Sequence, residues 1–416
     1  MTKTRSTSTQ RVTASIAVFL AVAALLTPIA LAGDLWSVIV GDKSSVARRI
    51  GSFRETHQYF ASTMIFSADS TKIFTDNSSS LPYELHVRTV GNLSNYRPIL
   101  VPGPSPLAGS PGGSALSVAI SGNGALMAAA HASLPIRVNV PRDTKDPSCP
   151  SIQIWNAVDE RPLLDLDPSS REVGCSVSGV ALTHDGKLMF ARVESASAKV
   201  CNNTAWHEYI AVFSTKDWQH LWNICTGSVA LSTVSISPND RFIAISGFSR
   251  VRPDQKLRPD APMFEDHPII TLVDLSTRQV VREIDGAFPD SNNVMALAWS
   301  PDGKRLAAGG GVGGSYPGPD AVKIFDAMSG ELVKAEQADN SWVTAIAYTS
   351  DGKYLVEGAV NKAVRIWDSA HEHLLQTISV KWGNGFSDVY TTLAVSPDSR
   401  YLAISEWRQV TLYELK

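Results

Sequence analysis

The 416-residue chain is 44% apolar, carries a formal net charge of -3 and contains four cysteines. Such a composition can bury a large core, and a charge balance so close to neutral excludes the basic footprint of a nucleic-acid-binding protein. The first 32 residues stand apart, holding Lys3, Arg5 and Arg11 and no acid.

Those cations lead into an apolar run over residues 16–26, the breaker Thr27-Pro28, and Ala30-Leu31-Ala32 ahead of Gly33. A cationic lead, an apolar centre and small residues two apart mark a secretory signal, so cleavage is expected after Ala32 and the remainder, 33–416, is expected to be exported, to a periplasm or outside the cell. The alternative is an uncleaved signal anchor over residues 14–32, long enough to approach one membrane span and leave the rest outside the cytoplasm.

Beyond this segment the chain becomes a succession of short alternating runs parted by turn formers, which read as strands. In order, the expected strands are 64–66, 72–75, 84–89 and 97–100; then 116–120, 125–129, 152–155 and 162–166; then 179–182, 187–192, 209–213 and 218–222. A fourth group covers 233–236, 241–246, 269–273 and 280–284, a fifth opens at 295–299, and a sixth covers 343–348, 353–357, 363–367 and 374–378. The last group, 392–395, 400–404 and 410–413, has only three strands.

One turn type joins the first two strands of every group: SADS from Ser67, SGNG from Ser121, THDG from Thr183, SPND from Ser237, SPDG from Ser300, TSDG from Thr349 and SPDS from Ser396. Ser or Thr suits the first position of a type I turn, Pro presets φ at the second, and Gly suits the last. Successive third positions (Asp69, Asn123, Asp185, Asn239, Asp302, Asp351, Asp398) are 54, 62, 54, 63, 49 and 47 residues apart. A four-stranded antiparallel unit repeated at such spacing is one blade of a β-propeller.

A small-apolar-large strand, SPDG, a second strand and then Val364-Arg365-Ile366-Trp367-Asp368 resemble the WD-repeat β-propeller family over residues 46–416. Trp367-Asp368 is the full Trp-Asp pair; Trp155-Asn156, Phe325-Asp326 and Val273-Asp274 are partial, and the family's Gly-His pair is absent. The expected fold is therefore all-β: a seven-bladed β-propeller of four-stranded antiparallel blades. Residues 46–50 sit at the right spacing to supply the missing strand of blade seven and close the ring, which would otherwise leave two open edges. Residues 36–40 look like a further strand and compete with 410–413 for one place. The small residues of the innermost strands read as packing near the axis, not as a ligand channel.

Function should sit where the blades differ. From the turn marker to the residue in the place of Trp367, blades six and seven take 16 and 15 residues, whereas blades two to five take 32, 28, 34 and 23. The excess falls in one connection, between second and third strands, which in an antiparallel blade emerges opposite the SPDG turns. Long loops on a rigid scaffold commonly carry function. Here they offer Arg137 and Arg142 in blade two, Trp206 and His207 in blade three, Arg250, Arg252 and Arg258 in blade four, and Tyr316 in blade five. Arginine and aromatic side chains suit a protein or peptide partner.

Signals for catalysis are weak. The glycine run at 309–314 lacks the Lys-Ser/Thr of a phosphate loop, His371-Glu372-His373 lies in a hairpin without further ligands, and no nucleophile elbow is present, so neither a cofactor nor a metal is called for. The rival readings are an extracytoplasmic propeller enzyme, such as a lactonase or quinone-dependent oxidoreductase, and a structural subunit of a membrane assembly if residues 1–32 stay attached. Sequons begin at Asn77, Asn92 and Asn202. The cysteines flank hairpins: Cys149 precedes the third strand of blade two and Cys175 follows its fourth, while Cys201 and Cys225 repeat this in blade three. The start of one strand and the end of its antiparallel neighbour meet, so Cys149–Cys175 and Cys201–Cys225 are expected, with Cys175–Cys201 as the competing pairing.

Overall fold

The structure, a computed structural model, describes residues 45–54, 63–77, 84–100, 116–131, 152–166, 175–195, 201, 207–226, 230–249, 267–285, 294–310, 322–336, 342–360, 363–370, 373–380, 391–406 and 409–416. Within it Ala47–Lys416 forms one compact unit. The signal or anchor segment and residues 36–40 lie outside the described residues.

Seven four-stranded antiparallel sheets make the propeller. Strand β1 (Ala47–Arg54) comes first in the chain. Blade one is β2 (Met64–Phe66), β3 (Lys72–Asn77), β4 (Glu84–Thr89) and β5 (Asn92–Leu100); blade two is β6 (Leu116–Ile120), β7 (Leu126–His131), β8 (Ile152–Asn156) and β9 (Pro162–Leu166). Blade three is β10 (Cys175–Leu182), β11 (Leu188–Ser195), β12 (His207–Ser214) and β13 (His220–Ile224); blade four is β14 (Ala230–Ile236), β15 (Phe242–Ser249), β16 (His267–Asp274) and β17 (Gln279–Asp285). Blade five is β18 (Val294–Trp299), β19 (Arg305–Gly310), β20 (Val322–Asp326) and β21 (Leu332–Glu336); blade six is β22 (Val343–Tyr348), β23 (Tyr354–Ala359), β24 (Ala363–Asp368) and β25 (Leu374–Ser379). Blade seven holds β26 (Leu393–Val395), β27 (Tyr401–Glu406) and β28 (Gln409–Leu415), and β1 completes it in the order β1-β28-β27-β26.

The ring thus closes through the N-terminal strand, as expected, with β1 running antiparallel to β28 from Ala47 opposite Leu415 to Arg54 opposite Gln409. A bulge between Arg49 and Gly51 bends it, and a Cβ at Gly51 would lie 2.9 Å from Leu93 Cδ1 of blade one, so a larger residue there would push the leucine tip aside. Phe53 packs with Met64, Phe66 and Ile73 of blade one and Val410 and Leu412 of its own blade. Blade six clamps the strand's first residue: Ala47 N donates to Gln376 Oε1 (2.8 Å) and Gln376 Nε2 donates to Ala47 O (3.1 Å).

Each blade is covered on both faces by its neighbours, which explains the composition of the middle strands. Ile152–Trp155 and Met127–Ala130 are buried at every position instead of alternating in and out. Apolar layers accordingly lie between blades: Phe74, Leu85 and Ile99 of blade one meet Met127 and Trp155 of blade two, and Phe190 and Ile210 of blade three meet Ile243 and Val273 of blade four.

All seven turns share one hydrogen-bonded construction. The Ser or Thr hydroxyl donates to the carboxylate or amide oxygen two residues on (2.6 Å for Ser300 to Asp302, 2.7 Å for Thr349 to Asp351) and accepts the backbone N–H opening the second strand (Arg305, Tyr354). The fourth residue is left-handed in every case, from φ 55 at Asp240 to φ 73 at Gly352. Glycine fills four of these positions, while Ser70, Asp240 and Ser399 fill the other three. Each of these three accepts a hydrogen bond from the preceding blade's turn: Asp398 N to Ser70 Oγ (3.1 Å), Asp351 N to Ser399 Oγ (2.9 Å), and His184 N and Asp185 N to the two oxygens of Asp240 (2.7 and 2.8 Å). A non-glycine residue is tolerated in a strained conformation where its side chain ties two blades together.

Several expected boundaries shift: β5, β10 and β14 begin at Asn92, Cys175 and Ala230, three to five residues early, so that Cys175 opens the first strand of blade three, and β13 begins late, at His220. Trp218, expected to open the fourth strand of blade three, lies in the preceding turn with φ 58. Its apolar side chain is explained by packing against the core between blades two and three. Bulges also recur in the outer hairpins, between Ile154 and Trp155, Val212 and Phe213, Leu272 and Val273, Ile324 and Phe325, and Ile366 and Trp367. They add local twist where each outer strand turns back.

Candidate binding faces

Alternating strand direction gives the propeller two unlike ends. One carries the seven SPDG-type turns. The other carries the blade-to-blade connections together with the second-to-third-strand connections: 132–151 in blade two, 196–206 in blade three, 250–266 in blade four and 311–321 in blade five, against 360–362 in blade six and 407–408 in blade seven. The strands that flank the extra length of blades two to five thus all end on this side.

Blade three shows how such a connection is anchored. Cys201, in the β11–β12 connection, forms a disulfide with Cys225, the residue after β13, with Cα atoms 5.6 Å apart. This is the expected pairing, and it excludes Cys175–Cys201; Cys149 lies outside the described residues. Beside the disulfide a polar seam joins blades three and four. Arg192 Nη1 donates to Ser232 O (2.7 Å) and Nε to Ser178 Oγ, while Glu208, partly buried, accepts the backbone N–H of Leu231 (2.5 Å). Glu208 therefore ties blade three to blade four.

Of the expected contact residues, Arg137, Arg142, Trp206, Arg250, Arg252, Arg258 and Tyr316 lie outside the described residues. His207 opens β12, paired with Ser195. His371 and Glu372 also lie outside, and His373 Nδ1 is 2.7 Å from Asp368 Oδ2 within its own hairpin. Among the described residues no three His, Cys, Asp or Glu side chains come together as a metal site.

The SPDG end is electrostatically tied up. Ser67 and Ser300 hydroxyls hold the carboxyls of Asp69 and Asp302 below the usual carboxylate range, and backbone N–H groups of Thr71 and Lys304 add to the effect. Lys187 and Lys353 pair with Asp185 and Asp351 at 2.8 and 3.2 Å. These acids are committed to their turns.

A feature the strand pattern did not announce is a cavity of ≈ 340 Å³ on blade one, lined by Lys72, Arg88, Asn95, Tyr96, Arg97 and, from blade two, Glu160. Glu160 ends the β8–β9 turn with φ 58 and its side chain is 2% exposed; its carboxylate takes an ion pair from Lys72 (2.7 Å) and another from Arg97. No local sequence signal marked Glu160: its left-handed φ and its ion pairs with Lys72 and Arg97 emerge only in the folded chain.

Residues 278–315 and 330–368 match the family described as WD domain, G-beta repeat. The first stretch runs from just before β17 to past β19 and the second spans β21 to β24, so each matched repeat begins on the outer strand of one blade and continues into the next. The chain is 29% identical over 148 residues to WD repeat-containing protein SL1-17 of Schistosoma mansoni, covering 35% of this chain and 44% of that protein. It is 28% identical over 166 residues to an uncharacterized WD repeat-containing protein of Synechocystis, covering 39% and 44%. Over 80 residues it is 30% identical to the intraflagellar transport protein 122 homolog of Danio rerio, covering 19% of this chain and 6% of that one. The chain thus spans less than half the length of the curated relatives it matches. Two repeats match the family model, and the seven four-stranded blades built on one turn type support a divergent WD-repeat β-propeller.

Proposed function

We propose that the chain is an exported, non-catalytic propeller that binds a protein or peptide partner through the end bearing the long connections of blades two to five. Propellers of this repeat family generally bind proteins, and the confinement of the additional length to one end of a rigid scaffold is the observation that carries the reading. Export is supported by the cationic and apolar N-terminal segment with its Ala-x-Ala ending, and by the Cys201–Cys225 disulfide, which persists in an oxidising compartment.

The test is affinity capture from an extracytoplasmic fraction with the full-length chain and with variants in which 132–151 or 250–266 is replaced by a short Gly-Ser turn. Loss of a recovered partner from a variant that still melts like the parent supports the assignment. Identical partner sets from all variants overturn it. Sequencing the exported protein should give Gly33 as its first residue; a retained Met1 would place the propeller on a membrane anchor.

A further inference from the structure

On the rim, the closing strand β1 of blade seven and the outer strand β5 of blade one are neighbours, and their charge is one-sided. Together they carry Arg48, Arg49, Arg54 and Arg97 without an acid. The outer strands of blades four and five offset their cations with Glu283, Asp285 and Glu336. Arg48 is answered by Glu414 on β28; Arg49 and Arg54 are exposed, and the Arg97 side chain is 58% exposed although it reaches Glu160. Tyr96 and Ile50, each about two-fifths exposed, lie among them.

The cavity described above opens on the same strand β5. Its lining sets three cations, Lys72, Arg88 and Arg97, around the single carboxylate of Glu160. Arg88 is itself buried, with its guanidinium 3.9 Å from the Phe53 ring of β1 and 4.9 Å from the Tyr96 ring of β5. That stacking fixes a positive charge at the junction of the two blades. Asn92 and Asn95 add hydrogen-bonding groups at the mouth. All of these side chains stand on paired strands or tight turns, so a second carboxylate entering the cavity would meet donors already in place.

We infer that this seam docks an acidic peptide segment of a partner protein, with one carboxylate side chain in the cavity beside Glu160 and others pairing with Arg49, Arg54 and Arg97 along the rim. The concavity, lined in part by Lys72, Arg88, Arg97 and two asparagines, fits a projecting side chain and not the flat surface of a bilayer. Pro98 brings no backbone N–H to β5, so side chains and not an added strand carry the recognition. This surface is separate from the long-connection end, and its occupant is recognised by charge, so binding weakens as salt rises.

The experiment is fluorescence anisotropy of fluorescein-labelled hexa-aspartate with the full-length chain. Saturable binding is expected at low salt. Arg49→Gln/Arg54→Gln, on an exposed strand, should weaken it about threefold, and adding Arg97→Gln should bring the loss to about tenfold or more. Arg97→Lys should recover part of that loss, and the melting temperature of the double variant should match the parent, which separates lost charge from lost fold. Absence of binding, or equal affinity in parent and variants, overturns the inference. Tighter binding of inorganic polyphosphate or of phosphatidylglycerol vesicles, lost in the same variants, overturns the peptide assignment. Capture of a partner through the long connections is unaffected by these substitutions, so the two readings fail separately.

Discussion

Phe53→Ala tests whether the propeller depends on its closing strand. The Phe53 ring is 7% exposed, packs against Met64, Phe66 and Ile73 across the seam, and stacks on the guanidinium of Arg88 at 3.9 Å. Truncating a buried phenylalanine costs about 3–5 kcal/mol, cavity included. Losing the ring beneath a desolvated guanidinium costs about 1 kcal/mol more, partly offset because Arg88 keeps Tyr96 at 4.9 Å. A total near 4 kcal/mol, set against an unfolding entropy of about 2.1 cal/mol/K per residue over roughly 370 residues, lowers the melting temperature by about 5 °C. Thermal unfolding followed by circular dichroism reads this directly, with Val158→Ala, at a 71% exposed turn position, as the control. A shift of less than about 1 °C, no larger than the control, would falsify the claim that β1 is a structural part of blade seven and not a strand resting on its edge.

At Asp240, left-handed at φ 55 and holding His184 N and Asp185 N, both Ala and Gly remove the hydrogen bonds, at a cost of about 2 kcal/mol. Glycine relieves the strained backbone, so stability should fall in the order Asp, Gly, Ala, and an alanine variant as stable as the parent would show that the inter-blade bonds contribute nothing. The turn carboxylates give a pH dependence: Asp69 and Asp302 have folded pKa values below the unfolded value near 3.8, so their contribution is fully present above about pH 4 and is lost as pH falls through the lower folded values. Urea midpoints measured down through that window should decline, less so in Asp302→Asn, and a flat profile contradicts the turn electrostatics. Cys201→Ser should cost about 3 kcal/mol for a closure of 24 residues and speed proteolysis in the β11–β12 connection. Non-reducing peptide mapping should yield a linked Cys201–Cys225 peptide, and free thiols at both positions would refute the assignment; the same map shows whether Cys149 and Cys175 are joined.

The sequence by itself determined the repeat, because each SPDG-type turn is a local device. A hydroxyl, a carboxylate or amide two residues on and a left-handed fourth position can be read from four consecutive letters, and the strands on either side follow from alternation. It also determined the ring closure, since a blade short of one strand leaves an edge that residues 46–50 are spaced to fill. Cys201 and Cys225 could be paired because hairpin geometry is set within one blade. What only the tertiary structure decided involves residues from different blades. Gly51 reads as an interruption until Leu93 of blade one is seen 2.9 Å from where its Cβ would lie. Ser70, Asp240 and Ser399 look like weak substitutes for glycine until each is found holding the turn of the blade before it. Trp218 looks like a strand residue until its backbone is seen to turn and its ring to pack on a neighbouring layer. The rim cavity joins Lys72 and Arg97 of one blade to Glu160 of the next, 88 residues from Lys72 along the chain. Local pattern sets φ and hydrogen bonds within a hairpin, but which charge meets which across a seam depends on how seven sheets pack around a common axis.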